Sequence, residues 1–324
     1  MHSQDRIRWR LASQLGRPHG RVCGNNSAAS PQRSLRAGSI AAGPLAAGLP
    51  ADASNPITVV CISDTHQTQP QFPDGDPLLH AGDLTNQGSF EELQAQLDWL
   101  ASLPHRHKVV IAGNHDKLLD ADYLARFPER ICEPEGQSVG DLEWHDLVYL
   151  NNSFETLGFA NGRRLSIFGS LWTPQFDTFA FQYPRIRDVW TGAVPEGAHV
   201  LLTHGPPKGY LDLDGKGCPN LTREVARTQP RVVVFGHIHA GPGREEVGYR
   251  GVERAYQRVM AGDGGLEVVL GMVFWLLGAW AEELVSSVLG HGEERRGART
   301  TMVNAAVVGG LRNEERRPVI VLEI

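Results

Sequence analysis

The sequence predicts a single α/β domain in which helices layer onto sheets. Short apolar runs rich in β-branched residues alternate with helix-type segments, and nearly every run ends in a cluster of Asp, Asn, His and Gly. Strands separated by helices argue for that layering. Runs that are continuously apolar, rather than alternating, argue for strands covered on both faces.

In chain order, Ile57 to Ile62 (ITVVCI) is the first such run. Ser89-Phe90-Glu91-Glu92 reads as a capping box from Ser89 to Glu92, and Leu93, Leu97 and Leu100 follow Phe90 at helical spacing. Lys108 to Ala112 (KVVIA) is the next strand. Asn161-Gly162 inside Leu157 to Phe168 marks a hairpin. Val200 to Thr203, Arg231 to Phe235 and Pro318 to Ile324 complete the strand set. Val268 to Ala281 (VVLGMVFWLLGAWA), closed by Glu282-Glu283, is nearly all apolar. It is shorter than the roughly 20 residues a bilayer core requires, so a helix packed on the core or at an interface is expected.

Composition narrows the function classes. The 324 residues are 41% hydrophobic and 21% charged, which is ordinary for a globular chain. A formal net charge of −6 gives no general electrostatic case for nucleic-acid binding. Cys23, Cys61, Cys132 and Cys218 lie far apart and form no C-x-x-C pair, so neither a disulfide framework nor a zinc knuckle is indicated. A reducing, cytoplasmic setting is expected. The first fifty residues carry seven arginines, one acid (Asp5) and no lysine. Residues 1–55 are therefore expected to be a disordered extension, and the same composition matches a mitochondrial transit peptide.

The chemistry sits where the strands end. ITVVCIS runs into Asp64-Thr65-His66, and Leu78-Leu79 leads to Gly82-Asp83. KVVIA runs into Gly113-Asn114-His115-Asp116, VLLT into His204-Gly205, and RVVVF into Gly236-His237-Ile238-His239. In open α/β sheets, ligand sites assemble at the carboxyl ends of strands. Residues i and i+2 of an extended segment point the same way, so Asp64 with His66, and His237 with His239, are each expected to face one ion. Mixed carboxylate, amide and imidazole donors suit Mn, Fe or Zn better than Ca or Mg.

These motifs, D-x-H, G-D, G-N-H-D, a later H and G-H-x-H in that order, resemble the signature of the calcineurin-like metallophosphoesterases. The resemblance covers Pro56 to Gly243, and Val303-Asn304-Ala305 with the final strand are also similar. Ser63-Asp64-Thr65-His66, Gly169-Ser170-x-Trp172-x-Pro174, His204-Gly205-Pro206-Pro207 and Gly236-His237-Ile238-His239-x-Gly241-x-Gly243 resemble the branch of small, class III phosphodiesterase-like, metallophosphoesterase-domain-containing proteins.

The resemblance implies a layered β-sandwich flanked by helices and two divalent metal ions. It places Asp64, His66 and His239 on one metal, Asn114, His204 and His237 on the other, and Asp83 between them. His115 would serve the leaving group, and the adjacent Asp116 would either orient its imidazole or hold a structural role. The expected activity is hydrolysis of a phosphate ester by a water activated between two metals, most simply a nucleotide-like phosphodiester. A catalytically weak nucleotide-binding or scaffold protein that keeps the metal site is the alternative. In the aromatic stretch Trp172 to Arg187, Trp172 and Arg185 are expected either to contact substrate or to belong to a packed loop. The resemblance divides the chain into an extension (1–55), a phosphoesterase domain (56–264 and 300–324) and an apolar helical insertion (265–299). Residues 266–289 are the expected surface for self-association or for peripheral membrane contact.

Overall fold

A computed structural model describes residues 55–130, 137–249, 251–289, 298–310 and 312–324. The expected extension, apart from Asn55, lies outside the described residues, as do Cys23 and Cys132.

Two mixed sheets face each other. The first has strand order β15-β1-β2-β3-β4, built from β1 (Thr58–Ile62), β2 (Leu78–His80), β3 (Lys108–Val110), β4 (Leu147–Tyr149) and β15 (Ile320–Glu323). The second has order β11-β12-β10-β9-β6-β5, from β5 (Ser153–Gly158), β6 (Arg164–Ser170), β9 (Val200–Thr203), β10 (Val232–Phe235), β11 (Gly243–Gly248) and β12 (Arg299–Asn304). β1, β2 and β3 run parallel, as do β6, β9, β10 and β12. Two short pairs complete the strands, β7 (Thr173–Pro174) with β8 (Gln182–Tyr183) and β13 (Val308–Gly309) with β14 (Glu315–Arg316).

Side-chain alternation explains the layers. Val59 and Cys61 of β1 point inward with Val109, and meet Ile167, Val200, Leu202, Val232, Val234 and Val303 from the second sheet. Val60, Ile62, Leu78 and Val110 point outward onto α1 (Phe90–Ser102), which returns Leu93, Leu97 and Leu100. Leu201, Val233, Phe235 and Met302 leave the opposite face and pack on Leu221 and Val225 of α3 (Pro219–Thr228). Every central strand is thus buried on both sides, which is why its sequence reads as an unbroken apolar run.

Local signals hold with two adjustments. Ser89 caps α1 by accepting the Glu92 amide at 3.3 Å, but the Glu92 carboxylate accepts the Gln87 and Gly88 amides at 2.7 and 2.9 Å. The expected reciprocal bond is displaced one to two residues upstream and pins the chain entering the helix. The hairpin at Asn161-Gly162 is real, but β5 and β6 are joined by the five residues between Gly158 and Arg164 rather than by a two-residue turn.

The apolar segment departs most. It forms α5 (Leu266–Leu289), which follows α2 (Ala121–Arg126), α3 and α4 (Gly251–Met260) in chain order and precedes β12. The helix is longer than the expected fourteen-residue stretch, and it is not packed into the core. Val268 is buried, but Leu270, Phe274, Trp275, Leu277 and Trp280 are all exposed. It packs chiefly on α4. Among those residues no helix is long and apolar enough to cross a membrane.

Candidate metal centre

Five loops converge where the parallel strands of both sheets end. Asp64 and His66 follow β1, Asp83 follows β2, Asn114 and His115 follow β3, His204 follows β9, and His237 and His239 follow β10. Main-chain bonds lace these loops together: Asp64 N–H to Gly82 O at 2.9 Å, His66 N–H to Asp83 O at 3.1 Å, Gly236 N–H to His204 O at 3.0 Å and Ser63 N–H to Ala305 O at 2.9 Å. Close approach needs glycine here. A Cβ on Gly113 would collide with the Asp83 amide and carboxylate, and one on Gly236 with the Asp64 carboxylate and Ser63 hydroxyl.

Two donor groups result, Asp64 with His66 and His239, and Asp83 with His204 and His237, each with its donor atoms within 4.8 Å of one another. His239 Nε2 lies 3.1 Å from Asp64 Oδ1. His204 Nε2 lies 3.3 Å from Asp83 Oδ2 and 3.1 Å from Asn114 Oδ1, which adds an amide oxygen to the second group. Asp83 Oδ2 also lies 3.7 Å from His66 Nε2, so this one oxygen faces both groups. Its other oxygen accepts the His115 amide at 2.7 Å.

Pairing by sequence spacing holds for Asp64 and His66 but not for the reason expected. Both have positive φ (54° and 43°), so a left-handed turn, not an extended segment, brings them together. For His237 and His239 the spacing argument fails. His237 also sits at positive φ (65°), and the turn sends the two imidazoles to different groups. The division between groups that the family resemblance implied is the one the side chains adopt.

Carbonyls set the imidazole tautomers. His66 Nδ1–H donates to Thr85 O at 2.9 Å and His204 Nδ1–H to Ala81 O at 2.8 Å, so each Nε2 faces inward and carries the lone pair whenever the ring is neutral. His66 Nε2 is buried with no hydrogen-bond partner. An orphaned buried acceptor beside two carboxylates fits a cation and little else. Electrostatics agree. Burial alone would lower the pKa of His204, but the adjoining Asp83 carboxylate overrides it and raises the value to about 9. His237, half-buried and facing His204, is pushed down to about 3 by removal of its ring from water and then by the neighbouring His204. Burial would lift Asp64 and Asp83, yet His239 holds Asp64, and His204 holds Asp83, well below the usual carboxylate range. Each carboxylate thus raises the proton affinity of the imidazole it faces, and a divalent ion bound there would take that proton's place.

His115 stands at the rim, half-buried, its ring centroid 4.9 Å from that of His66. Its Nδ1–H donates to Asn86 O at 2.8 Å, which directs Nε2 away from that loop. The expected partnership with Asp116 does not form. The fully buried Asp116 carboxylate instead accepts the Gly113, Thr85 and Leu84 amides at 2.8, 3.0 and 3.3 Å and the Thr85 hydroxyl at 2.8 Å. It ties the loop after β2 to the loop after β3, and the Asn86 carbonyl orients the imidazole.

The aromatic stretch divides likewise. Trp172 packs edge-on against buried Trp190 at 6.0 Å, and Tyr183 hydrogen-bonds Trp190 and Cys218 within the outer core. Arg185 gives Nε to Gln175 O at 3.1 Å and Nη1 to Lys216 O at 3.3 Å, so it staples loops. The residue the stretch brings to the rim is Phe179, whose ring lies 4.9 Å from that of His115, with Lys117 Nζ 6.0 Å from the Phe179 ring. The Ala180 amide bonds Asn114 O and the Phe181 amide bonds Asp120, fixing Phe179 in place. Thr85, Asn86 and Ala81 act through main-chain carbonyls and carry no side-chain signature. Arg317 is equally unmarked in the sequence, whereas Asn304 lies in the Val303-Asn304-Ala305 stretch that the resemblance includes. Asn304 donates to Ile238 O at 2.9 Å and Arg317 to His239 O, holding the loop that carries His239.

Comparison with known proteins agrees with this geometry. The calcineurin-like phosphoesterase family model matches residues 57–241, a span that contains every donor named above. Metallophosphoesterase domain-containing protein 1 of Homo sapiens is 39% identical over 218 residues, 60% of this chain and 65% of that protein. A UPF0046 protein of Caenorhabditis elegans is 36% identical over 201 residues, 60% of this chain and 67% of that protein. A probable rhamnogalacturonate lyase C of Emericella nidulans is 40% identical over 273 residues, which are 83% of this chain but 24% of that longer protein. Most of that relative has no counterpart here. With the family model matching more than half its length, the chain belongs to the calcineurin-like phosphoesterase family.

Proposed function

We propose that the protein is a two-metal phosphoesterase whose substrate is a phosphodiester with a planar, nucleotide-like leaving group. The observation that carries this reading is Asp83 Oδ2, which lies 3.7 Å from His66 Nε2 and 3.3 Å from His204 Nε2 and so joins the two donor groups. Mn, Fe or Zn ions bound there would supply a lowered pKa for the attacking water and charge neutralisation on the phosphoryl oxygens.

The chain's own groups supply the rest. Asp64, Asp83 and Asn114 offer hard oxygens, while the carbonyls of Thr85 and Ala81 hold His66 and His204 in the tautomer that presents Nε2. His115, fixed by Asn86, offers Nε2 at the rim as proton donor to the leaving oxygen. Phe179 beside it presents a ring face on which a flat leaving group can stack. Lys117, near the same ring, adds positive charge.

A metal-reconstituted screen tests the reading. Turnover is expected on aryl and nucleotide phosphodiesters, with aliphatic diesters and phosphomonoesters slower. Metal binding without turnover on any ester would favour a scaffold that keeps the site. Faster turnover of monoesters would overturn the diester assignment.

A further inference from the structure

The geometry points to a second functional surface: we propose that α5, with the arginines of α4 at its base, docks the protein onto an anionic phospholipid surface by inserting into one leaflet. Val273, Phe274, Trp275, Leu276 and Leu277 are five consecutive large apolar residues, and all are exposed. Successive helical residues are about 100° apart, so five in a row sweep the whole circumference. Phe274 is 73% exposed and Trp280 66%.

That pattern decides what covers the helix. A protein partner, including a second copy of this chain, buries a stripe roughly 100° wide and leaves the remainder in water. Exposed apolar surface of this extent is rare on soluble monomers. Acyl chains close around a helix from every side, and a helix satisfies its own backbone there. The apolar run from Val268 to Ala281 is about 21 Å long at 1.5 Å per residue, less than the roughly 30 Å hydrocarbon core. It enters one leaflet aslant rather than upright, so that its acidic end stays at the headgroups. Glu282 and Glu283 then mark where apolar character stops. Trp275 and Trp280 are of the type that favours the headgroup boundary.

The base of the helix supplies matching charge. A groove between α4 and α5 is lined by Arg254, Arg258, Val268, Gly271 and Trp275. A neighbouring groove of about 320 Å³ between α3 and α4 shares Arg254 and Arg258 and adds Arg223 and Arg227. Arg223 is paired with Asp263 and Arg227 with Glu224. The Arg254 and Arg258 side chains are exposed and form no hydrogen bond or ion pair within 4.0 Å among the described residues, although Arg258 lies near enough to Asp263 to help lower its pKa. They outnumber Glu267, the acid that shares their groove, and are placed to meet lipid phosphates as the helix enters.

Sedimentation of the full-length protein with phosphatidylcholine vesicles, with and without phosphatidylglycerol, tests this. Binding is expected on the phosphatidylglycerol vesicles, accompanied by a blue shift in tryptophan emission. The double variant Arg254→Gln/Arg258→Gln is expected to bind roughly 25-fold more weakly, since each surface cation contributes about a fivefold gain. Phe274→Ser/Leu277→Ser is expected to abolish binding. All four residues are exposed, and unchanged melting temperature would show that the variants fold. Failure of the unaltered protein to sediment, or equal binding by the apolar variant, would overturn the proposal. So would a dimer in gel filtration that Phe274→Ser/Leu277→Ser dissociates, because a second copy would then be the occupant.

Discussion

The metal edge and the α5 arm treat their costly groups in opposite ways. At the edge, Asp64, Asp83, Asp116, His66 and His204 are removed from water, and nearly every polar atom has a partner in this chain. The exception, His66 Nε2, faces the space between two carboxylates. On the arm, residues that folding normally buries are left in water without partners. Burying an unpaired charge and exposing a large apolar face are both unfavourable. On the proposals above, each is met from outside the chain: by a cation at the edge and by acyl chains at the arm. The edge must hold donors to a fraction of an ångström, so it is stapled by five loops. The arm needs only to project.

This contrast can be broken most severely at Asp83. Asp83→Asn removes the one oxygen that faces both donor groups, and hydrolysis is expected to fall to background with both cations bound more weakly. Metal analysis after dialysis checks this, and an active variant that retains both ions would remove the basis for the paired site. His115→Ala is expected to lower turnover by about 10²–10⁴-fold with metal content unchanged. The loss should shrink for esters whose leaving groups need no proton. Equal losses across a leaving-group series would show that His115 binds substrate rather than protonates it.

Smaller effects sharpen the comparison. Asp116→Ala unties the two loops that carry Asp83 and Asn114, and a drop of about 10–100-fold in metal affinity is expected, as for other groups that orient ligands. A calorimetric titration with Mn²⁺ would reveal it, and unchanged affinity would mean the loops hold their shape unaided. Leu97→Ala in α1 is expected to cost about 2–5 kcal/mol of stability, because Leu97 is fully buried. Leu270→Ala on the arm should fall within about 0.5 kcal/mol of zero in urea melts. Similar costs at both positions would mean that the arm is packed in solution.

How much of this the sequence disclosed follows the same division. The donors were legible because chemistry selects side-chain type: Asp, Asn and His after apolar runs name themselves, and the runs reveal strands buried on both faces. Their grouping was legible only in part, since left-handed turns at Asp64, His66 and His237 override the period-two rule that extended chain obeys. Orienting groups were hidden, because Ala81, Thr85 and Asn86 act through carbonyls that every residue possesses. Asp116 misled for the opposite reason: adjacency to His115 suggested a contact that its buried bonds to Gly113 and Thr85 preclude. β11 escaped notice because it pairs with β12 alone and exposes Arg244 and Glu246, so its sequence, GREEVG, has no apolar run. The arm's composition was plain, but nothing in an apolar run reveals whether the fold will cover it.

The central claim is that two cations act together on one ester. Stepwise addition of Mn²⁺ to metal-free protein, with turnover of bis(4-nitrophenyl) phosphate followed at each point, tests it most directly. The rate is expected to stay low through the first equivalent and to reach its plateau only as the second binds. A plateau at one equivalent, or two bound ions without turnover, would contradict it.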